Sequence, residues 1–487
     1  MLSKLALRNS FFDYKDQVEK REENIFDKIV LWYVTVAILS HCFLLIAPVL
    51  TSISYTPIYR IESILGAVGG LILLYDFFTE RLCFKAKFSG WLYIMLFAAL
   101  ISSLRTLSLG VKENIFDIAW MTICIALIYP ASLRISPDHL KKHLKRLSLS
   151  MLTLWSIPCI ISIYQFVKLI QYKYVVDVKS ADKAYALQGF VNRRLYGIFN
   201  PLNHAAIVSS LCLLIAIFFL ISYRGYKRGI FVFLALVFYI HILLSGSRGA
   251  LLSLYICLIA VTSLYGFHSL KGSYTLTNIL KKLALVALSV ALFMGLNATV
   301  KLGLIQLPKL TNSDWNYNSE DLSFDRDEDL RGDISNNRTK IWQDYISLTK
   351  DISLFGLSPG NSSAYIIKNH PDLYIVQYVK DKFPAKFYNG LIYHTHNGYM
   401  EAFVSSGFVG ILSVFIFLIL SFKKVLAIIL KGPISKINLC FLLIVLIGLF
   451  SAVYERELFF INNPIGLLFW FSAGFLNHDI QVACKRI

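Results

Sequence analysis

Charged side chains are scarce in this sequence: Asp, Glu, Lys and Arg together make up 16% of its 487 residues. Soluble domains carry about 25% charged residues, so the chain has too little polar surface for a soluble globular protein. Acidic residues are the scarcest, with 30 Asp and Glu against 48 Lys and Arg. The hydrophobic share of 56% and the mean hydropathy of +0.60 indicate an integral membrane protein instead.

Several motifs are also missing. The sequence contains no GxxxxGK[ST] or GxGxxG pattern, so ATP and a dinucleotide lack support. The first 28 residues have mixed charge, no apolar core and no small-residue cleavage site, so residues 1–28 are predicted to be a cytoplasmic tail and not a signal peptide. Six of the eight cysteines fall in apolar runs and two in predicted cytoplasmic segments, which predicts neither disulfides nor a cysteine metal site.

Long apolar runs dominate what is present. A transmembrane helix needs about 20 predominantly apolar residues, and twelve runs approach this length. They lie at 29–50, 58–78, 90–109, 114–133, 147–169, 204–223, 229–245, 249–267, 279–299, 399–421, 437–453 and 463–477. The predicted fold is an all-α integral membrane protein with about 12 transmembrane helices, nine in residues 29–299 and three in 399–477, followed by a tail at 478–487.

The basic residues predict the orientation in the membrane. Lys and Arg collect in every second connection, whereas the short connections between them carry almost no charge. The basic connections contain Arg81, Lys85 and Lys87; Arg134, Lys141, Lys142, Lys145 and Arg146; Arg224, Lys227 and Arg228; Lys271, Lys281 and Lys282; Lys423, Lys424, Lys431 and Lys436; and Lys485 and Arg486. Because cytoplasmic loops are enriched in Lys and Arg, both termini are predicted to be cytoplasmic. The excess positive charge then reflects topology, and no nucleic-acid partner is expected.

One outer segment, residues 300–398, is large enough to form a domain between the ninth and tenth predicted spans. Its first part is acidic and rich in turn residues over 314–333, which predicts a solvated flap. The Asp325-Arg326-Asp327 run resembles a metal-binding DxD, but it lies outside, where nucleotide sugars are not expected. Further on, Ile341, Tyr345 and Leu348 recur at helical spacing after a candidate N-cap at Ser335 or Asn336. Shorter helices are predicted near 364–369 and 373–380, so this outer loop is expected to be partly helical.

Two of the ten histidines stand out. His394 and His396 lie in Tyr393-His394-Thr395-His396-Asn397, where the large loop re-enters the membrane. Histidine is in general the side chain that titrates nearest to neutrality, so an imidazole at this depth is suited to take a proton from a sugar hydroxyl. Two histidines without a third ligand are a weak metal pattern, so no metal and no cofactor are predicted.

Arginines on the same predicted side of the membrane form a second group. Arg248 lies in a turn of a few residues between two spans, and Arg338 opens the helical part of the large loop. Arg193 and Arg194 precede the sixth span. One guanidinium group can bind two phosphate oxygens at once. Several arginines beside a histidine therefore indicate a phosphate-bearing lipid substrate with its tail in the bilayer. Each also has a structural alternative, as a helix cap or a solvated helix face.

These residues resemble a known family. His396-Asn397, nine further residues and then Gly407-Phe408-Val409-Gly410 are similar to the H-[NSQ]-x9-G-x-x-[GTY] pattern of bacterial O-antigen ligases. Ser247-Arg248-Gly249 resembles the S-R-G at the start of their common domain. Arg338 with Trp342, followed by the glycine-rich 354–360, resembles their large periplasmic loop, and 197–203 is similar to another family segment. The resemblance covers roughly residues 190–425.

The resemblance implies a metal-independent, inverting glycosyltransferase that uses no ATP and resides in the bacterial inner membrane. Its donor would be a glycan on undecaprenyl diphosphate, and its acceptor a glycan or a lipid A core, as in lipopolysaccharide or other surface polysaccharide biosynthesis. By this resemblance His396 is the general base, and Arg248 and Arg338 hold the diphosphate. By their position, Arg193, Arg194 and His394 are candidate substrate contacts.

Two alternatives remain at this point. An O-antigen polymerase of the same superfamily would extend lipid-linked chains instead of transferring them to a final acceptor. A twelve-span transporter or a flippase for lipid-linked oligosaccharides is the alternative from another class. The common two-halves transporters have internal repeats and a long cytoplasmic connection after the sixth span, and here that connection is short, at about 223–228.

Overall fold

The computed structural model describes residues 24–46, 55–176, 184–269, 275–311, 337–431 and 434–478. Some predictions fall outside the described residues. They are most of the amino-terminal tail, the acidic stretch 314–333, the N-cap candidates Ser335 and Asn336, and nearly all of the carboxy-terminal tail.

The described chain is helical apart from one small sheet. Its helices before the sheet are α1 (Ile25–Leu44), α2 (Tyr55–Phe78), α3 (Leu82–Lys85), α4 (Ser89–Arg105), α5 (Lys112–Ile123, continued by a π-helical turn at Cys124–Ile128) and α6 (Pro137–Val167). The strands are β1 (Gln171–Val176), β2 (Ala184–Val191) and β3 (Arg194–Gly197). The helices after the sheet are α7 (Leu202–Ser222), α8 (Tyr226–Ser245), α9 (Arg248–Ser269), α10 (Leu276–Thr311), α11 (Arg338–Ser347), α12 (Thr349–Ile352), α13 (Ser362–Asn369), α14 (Tyr374–Lys382), α15 (Pro384–Tyr388), α16 (Gly398–Lys431), α17 (Lys436–Tyr454) and α18 (Pro464–His478).

Each of the twelve predicted spans coincides with one of these helices. Ten helices within the described ranges are long and apolar enough to cross a membrane. The other two, α4 with 17 residues and α18 with 15, are shorter. Backbone N–H and C=O groups cannot bond to water inside a bilayer, so apolar runs of this length become helices. The prediction of an all-α integral membrane protein is confirmed.

Two helices extend well beyond the apolar runs that predicted them. Helix α6 begins at Pro137, ten residues before the predicted span, because Pro137 occupies a first-turn position where its missing N–H is harmless. Helix α10 continues to Thr311 and is 36 residues long. At 1.5 Å per residue this corresponds to about 54 Å, more than a bilayer core of about 30 Å. The large loop therefore begins as a continuation of a membrane helix.

A three-stranded antiparallel sheet follows α6, in a segment for which the sequence predicted no strands. The strand order is β1-β2-β3, and the register pairs Gln171 with Gly189 and Phe190 with Leu195. The turn between β2 and β3 consists of Asn192 and Arg193, both with positive φ, as two-residue hairpin turns prefer. This hairpin places Arg194 at the start of β3, beside the amino end of α7.

The described part of the large loop has a hydrophobic core of its own. Ile341, Tyr345 and Leu348 are buried, as their helical spacing predicts, and they pack with side chains of α13, α14 and α16. Helices α13 and α14 match the two shorter helices predicted in this region. The loop after residue 337 is thus a small folded unit.

A break in α16 attaches this unit to the membrane helices. Gly407 has φ +66° inside α16, which interrupts the helical hydrogen bonds. The amides of Phe408 and Val409 donate instead to the carbonyls of Ser353 and Leu354, and the Leu357 amide donates to Val404. The glycine-rich stretch of the loop therefore contacts α16 through main-chain bonds.

We expect Gly407→Ala to destabilise the protein by roughly 1–3 kcal/mol, the usual cost of a non-glycine residue in a strained backbone conformation. A Cβ at this position would lie 2.4 Å from the main-chain carbon and oxygen of Leu354, where neither can yield. Thermal unfolding in detergent, followed by tryptophan fluorescence, measures the effect.

Gly303→Ala in α10 is the matched control. A Cβ there meets no atom within 4 Å, and alanine favours a helix by up to about 1 kcal/mol over glycine. Equal loss of stability in the two variants would contradict the role assigned to the break at Gly407.

Candidate functional site

Glu455 lies at the centre of a polar cluster at the end of the bundle that carries the large loop. Its Oε1 accepts hydrogen bonds from Nη2 of Arg338 at 2.6 Å and from Nδ2 of Asn203 at 2.9 Å. Its Oε2 lies 3.2 Å from Nδ1 of His396. One carboxylate thus joins the first residue of α11, the amino end of α7 and the turn before α16.

The environment of Glu455 keeps it ionised. Burial by itself raises the pKa of this carboxyl, and its side chain is only 10% exposed. The hydrogen bond from His396 and the positive charge of Arg338 outweigh burial and lower the pKa of Glu455 to about 2. His396 therefore faces a permanent negative charge through Nδ1, which favours a proton on Nδ1 and leaves Nε2 with its lone pair.

The residues around His396 hold it in place. His396 has φ +47°, in the left-handed region that non-glycine residues rarely occupy. The next residue, Asn397, caps α16, because its Oδ1 accepts from the amides of Tyr399 and Met400 at 2.9 Å each. Nε1 of Trp342 donates to the Thr395 carbonyl at 2.8 Å. In this pair of neighbours, His396 faces the cleft and Asn397 caps α16. The hydrogen bond from Trp342 to Thr395 holds the turn that carries both residues.

His394 occupies a different place from His396. Its Nδ1 lies 3.2 Å from Nη1 of Arg456, and its side chain is exposed. Arg456 also pairs with Glu401 at 3.3 Å and with Asp117 at 3.5 Å. His394 therefore belongs to this second cluster and does not line the cleft described next.

The first polar cluster borders a cleft of about 320 Å³. Three of its walls come from the start of α7, from α11 and from α14, and the fourth contains Tyr393, His396 and Glu455. The lining residues are Pro201, Asn203, His204, Asn337, Arg338, Ile341, Tyr374, Ile375, Tyr378, Tyr393, His396 and Glu455. The cleft combines a histidine-carboxylate pair, a cation and several tyrosines, which suits a polar substrate with hydroxyl and phosphate groups.

The predicted arginines are distributed around this cleft. Arg338 lines the cleft, whereas Arg194 lies behind Asn203, which lines it. Nη2 of Arg194 donates to Oδ1 of Asn203 at 2.7 Å, and its Nε donates to the Ser245 carbonyl at 2.9 Å. Arg248 is exposed at the first position of α9. Arg193 is at the tip of the β2–β3 turn. Of the six candidate site residues, the structure places two, His396 and Arg338, in the cleft itself, and connects Arg194 to them through Asn203 and Glu455.

The sequence did not single out Glu455, Asn203 or His204. Glu455 belongs to Glu455-Arg456-Glu457, a charged run between two apolar spans. Charges so close to membrane helices are costly and are often functional. This charged run could therefore have identified Glu455 as a candidate from the sequence. Within the described ranges, no three His, Cys, Asp or Glu side chains converge in a way suited to a metal ion.

The fold and the cleft together define a polytopic α-helical membrane protein with an acid-base pair and cations at one end of its spans. Residues 230–415 match the family model described as O-antigen ligase, and this match supports the O-antigen ligase and polymerase superfamily. The match supports a glycosyltransferase-type enzyme with an O-antigen ligase-like function in surface polysaccharide biosynthesis. No curated protein and no solved structure was found to match the chain.

The matched segment contains only part of the cleft. It includes Arg248, Arg338 and His396, but it ends before α17, and Asn203, His204 and Glu455 lie outside it. The partners of His396 and Arg338 are therefore identified by the structure and not by the family match.

We expect Glu455→Gln to lower the enzyme's activity by about 10²-fold, the lower end of what a general base contributes. The amide keeps the shape of the side chain but removes the negative charge that orients His396 and pairs with Arg338. Initial rates at saturating donor measure this effect.

Asp351→Asn is the matched control. Asp351 lies 3.3 Å from Nε2 of His370 in the same loop, so it forms a histidine-carboxylate pair of the same kind. Neither residue lines the cleft. An equal loss in the two variants would show that the effect is structural.

The stability difference between wild type and Glu455→Gln should depend on pH in a defined way. Because the pKa of Glu455 falls from 4.5 to about 2 on folding, its charge stabilises the fold fully above pH 4.5, and this contribution is lost as the pH falls toward 2. Unfolding temperatures of the two proteins should therefore differ by a constant amount between pH 5 and 8 and converge below pH 4. A difference that grows on acidification would contradict the ionised state of Glu455.

Proposed function

We propose that the chain is a membrane glycosyltransferase that moves a glycan from undecaprenyl diphosphate to an acceptor hydroxyl, as an O-antigen ligase does. The observation that carries this proposal is the convergence of His396, Glu455 and Arg338 on one cleft at the loop end of the bundle. The distribution of Lys and Arg supports an orientation with both termini in the cytoplasm and the cleft on the outer face of the bacterial inner membrane.

In the proposed reaction His396 acts as the general base. Its Nδ1 faces the Glu455 carboxylate, so Nε2 is available to accept the proton of an acceptor hydroxyl. The hydroxyl oxygen forms a bond to the anomeric carbon, and the bond from that carbon to the phosphate oxygen breaks with its electron pair on the diphosphate. A single displacement of this kind inverts the anomeric configuration.

Arginines are proposed to stabilise the leaving diphosphate. Arg338 lines the cleft and is 23% exposed, so its guanidinium can contact both Glu455 and a substrate. Arg248, at the exposed start of α9, and Arg193 and Arg194, near the β2–β3 turn, are proposed donor contacts at the margin of the cleft. Positive charge placed where negative charge develops supplies the electrostatic stabilisation of the transition state, which supports a reaction that needs neither metal nor nucleotide.

The partners follow from the same proposal. The donor is a glycan on undecaprenyl diphosphate, whose polyprenyl tail lies among the membrane lipids. The acceptor is a glycan or a lipid A core. Tyr374, Tyr378 and Tyr393 line the loop side of the cleft, where each ring offers an apolar face and a hydroxyl to a sugar.

In proteoliposomes with an undecaprenyl-diphosphate-linked glycan, an acceptor and EDTA but no nucleotide, we expect the wild-type protein to transfer the glycan. His396→Ala should lower the rate by at least about 10²-fold because the base is removed. Arg338→Lys and Arg248→Lys should each lower it by about 10-fold, since an ammonium keeps the charge but not the paired N–H groups. Release of undecaprenyl diphosphate measures turnover.

His370→Ala provides the control, because His370 lies in the same loop but does not line the cleft. Undiminished transfer by His396→Ala would refute the proposed base. Transfer that requires a divalent cation would refute the metal-independent part of the proposal.

Ligase and polymerase activity are separated by the lipid-linked glycans of a strain that lacks the protein. Loss of a ligase leaves intact polymer on undecaprenyl diphosphate because only the final transfer is blocked. Loss of a polymerase leaves single repeat units instead. We expect intact polymer, and accumulation of single units would replace the ligase proposal by the polymerase alternative.

A further inference from the structure

A second histidine and a second glutamate lie beside the same cleft. His204, at the start of α7, lines the cleft and is 17% exposed. Its Nδ1 lies 3.7 Å from Oε2 of Glu457, whose side chain is completely buried. Neither carboxyl oxygen of Glu457 accepts a hydrogen bond from any described residue. The mechanism proposed above uses neither residue.

The backbone explains why two glutamates approach the same cleft. Glu455 has extended φ and ψ, −141° and 159°, and follows directly after α17. Side chains alternate between opposite sides in extended chain. Glu455 and Glu457 therefore turn toward His396 and His204, whereas Arg456 turns away toward His394, Glu401 and Asp117.

The two glutamates are in opposite charge states. Glu455 accepts hydrogen bonds from Arg338 and Asn203, and these donors support a carboxylate. Glu457 has no such donors among the described residues, and a buried carboxylate without donors is very costly. Burial and the negative charge of Glu455 raise the pKa of Glu457 well above its ordinary value. Burial without donors therefore favours the neutral form of Glu457, which carries an O–H group.

A neutral acid and a carboxylate orient imidazole in opposite ways. The Glu455 carboxylate accepts from Nδ1 of His396 and leaves Nε2 as an acceptor. When the Glu457 O–H donates to Nδ1 of His204, the remaining proton of that ring lies on Nε2. The gap of 3.7 Å exceeds a hydrogen bond, but such contacts are often long without substrate and shorten in the complex.

We propose that His204 donates a hydrogen bond from Nε2 to the phosphate oxygen of the leaving diphosphate, and that Glu457 is the positioning residue that holds His204 in this tautomer. The inference rests on the proposed glycosyl transfer. No proton is transferred by His204: it stabilises the oxygen that receives the electron pair of the broken bond. Such a donor is needed because Arg338 already shares its charge with Glu455.

The test compares paired variants of the full chain in proteoliposomes with the undecaprenyl-diphosphate-linked glycan. His204→Phe keeps a ring but removes the donor, and we expect kcat to fall by about 10²-fold, as for one lost oxyanion donor. His204→Gln retains an N–H group at similar reach and should recover about 10-fold of that loss.

Glu457 is tested by a second pair. Glu457→Gln is neutral and can still donate to Nδ1, so it should be about 10-fold more active than Glu457→Met, which cannot. Equal activity of the Gln and Met variants would show that no hydrogen bond from residue 457 is used, and this outcome would overturn the assigned role. Unfolding temperatures of all four variants must be compared, since a difference in folded fraction that accounts for the rates would also overturn it.

Binding of undecaprenyl diphosphate alone separates the inference from the proposed function. This lipid should raise the unfolding temperature of the wild-type protein and raise it less in His204→Phe, with His370→Phe as the control outside the cleft. A wild-type protein that neither transfers glycan nor is stabilised by the lipid would refute the proposed function, and the inference with it. An active wild type with an unaffected His204→Phe would refute the inference alone.

Discussion

The structure of the cleft depends on one buried negative charge. A carboxylate removed from water must be paired and hydrogen-bonded, or its cost exceeds what a fold can tolerate. Glu455 meets this requirement with donors from three separate parts of the chain: Arg338 of the loop, Asn203 of α7 and His396 before α16. The same bonds that satisfy the charge also fix the loop against the membrane helices. The contacts that stabilise the Glu455 carboxylate are therefore also the contacts that form the cleft.

The membrane helices were predictable because a bilayer makes hydropathy decisive. An apolar run of about 20 residues has no alternative to a helix in lipid, and all twelve runs coincide with helices. The β1–β3 sheet was not predicted, since strands of four to eight residues in a polar segment carry no comparable signal. The extension of α10 to Thr311 was missed because it continues through Gly303 and Pro308, residue types that usually weaken or end a helix.

The site was predictable only in part. His396 and Arg338 stand in recognisable patterns, and the structure places both in the cleft. Glu455 lies 59 residues after His396, and the pairing of such distant segments is set by helix packing, which a single sequence does not display. Residues close in sequence can also be separated in the site. His394 is two residues from His396 but contacts Arg456, because the direction of a side chain in a turn depends on tertiary contacts.

The attachment of the loop at the break in α16 has a consequence for how such loops can diverge. The bonds from Phe408 and Val409 to Ser353 and Leu354 join main chain to main chain, so they specify no side chains. Glycine is required where the backbones of the loop and the membrane helices meet, at Gly356, Gly360 and Gly407, where a Cβ would lie within 2.7 Å of main-chain atoms. Side-chain hydrogen bonds add to this attachment, among them those from Arg338 to Glu455 and from Asn361 to the carbonyls of Thr106 and Gly110. Substitutions on the loop surface away from these contacts therefore leave its attachment to the membrane helices unchanged.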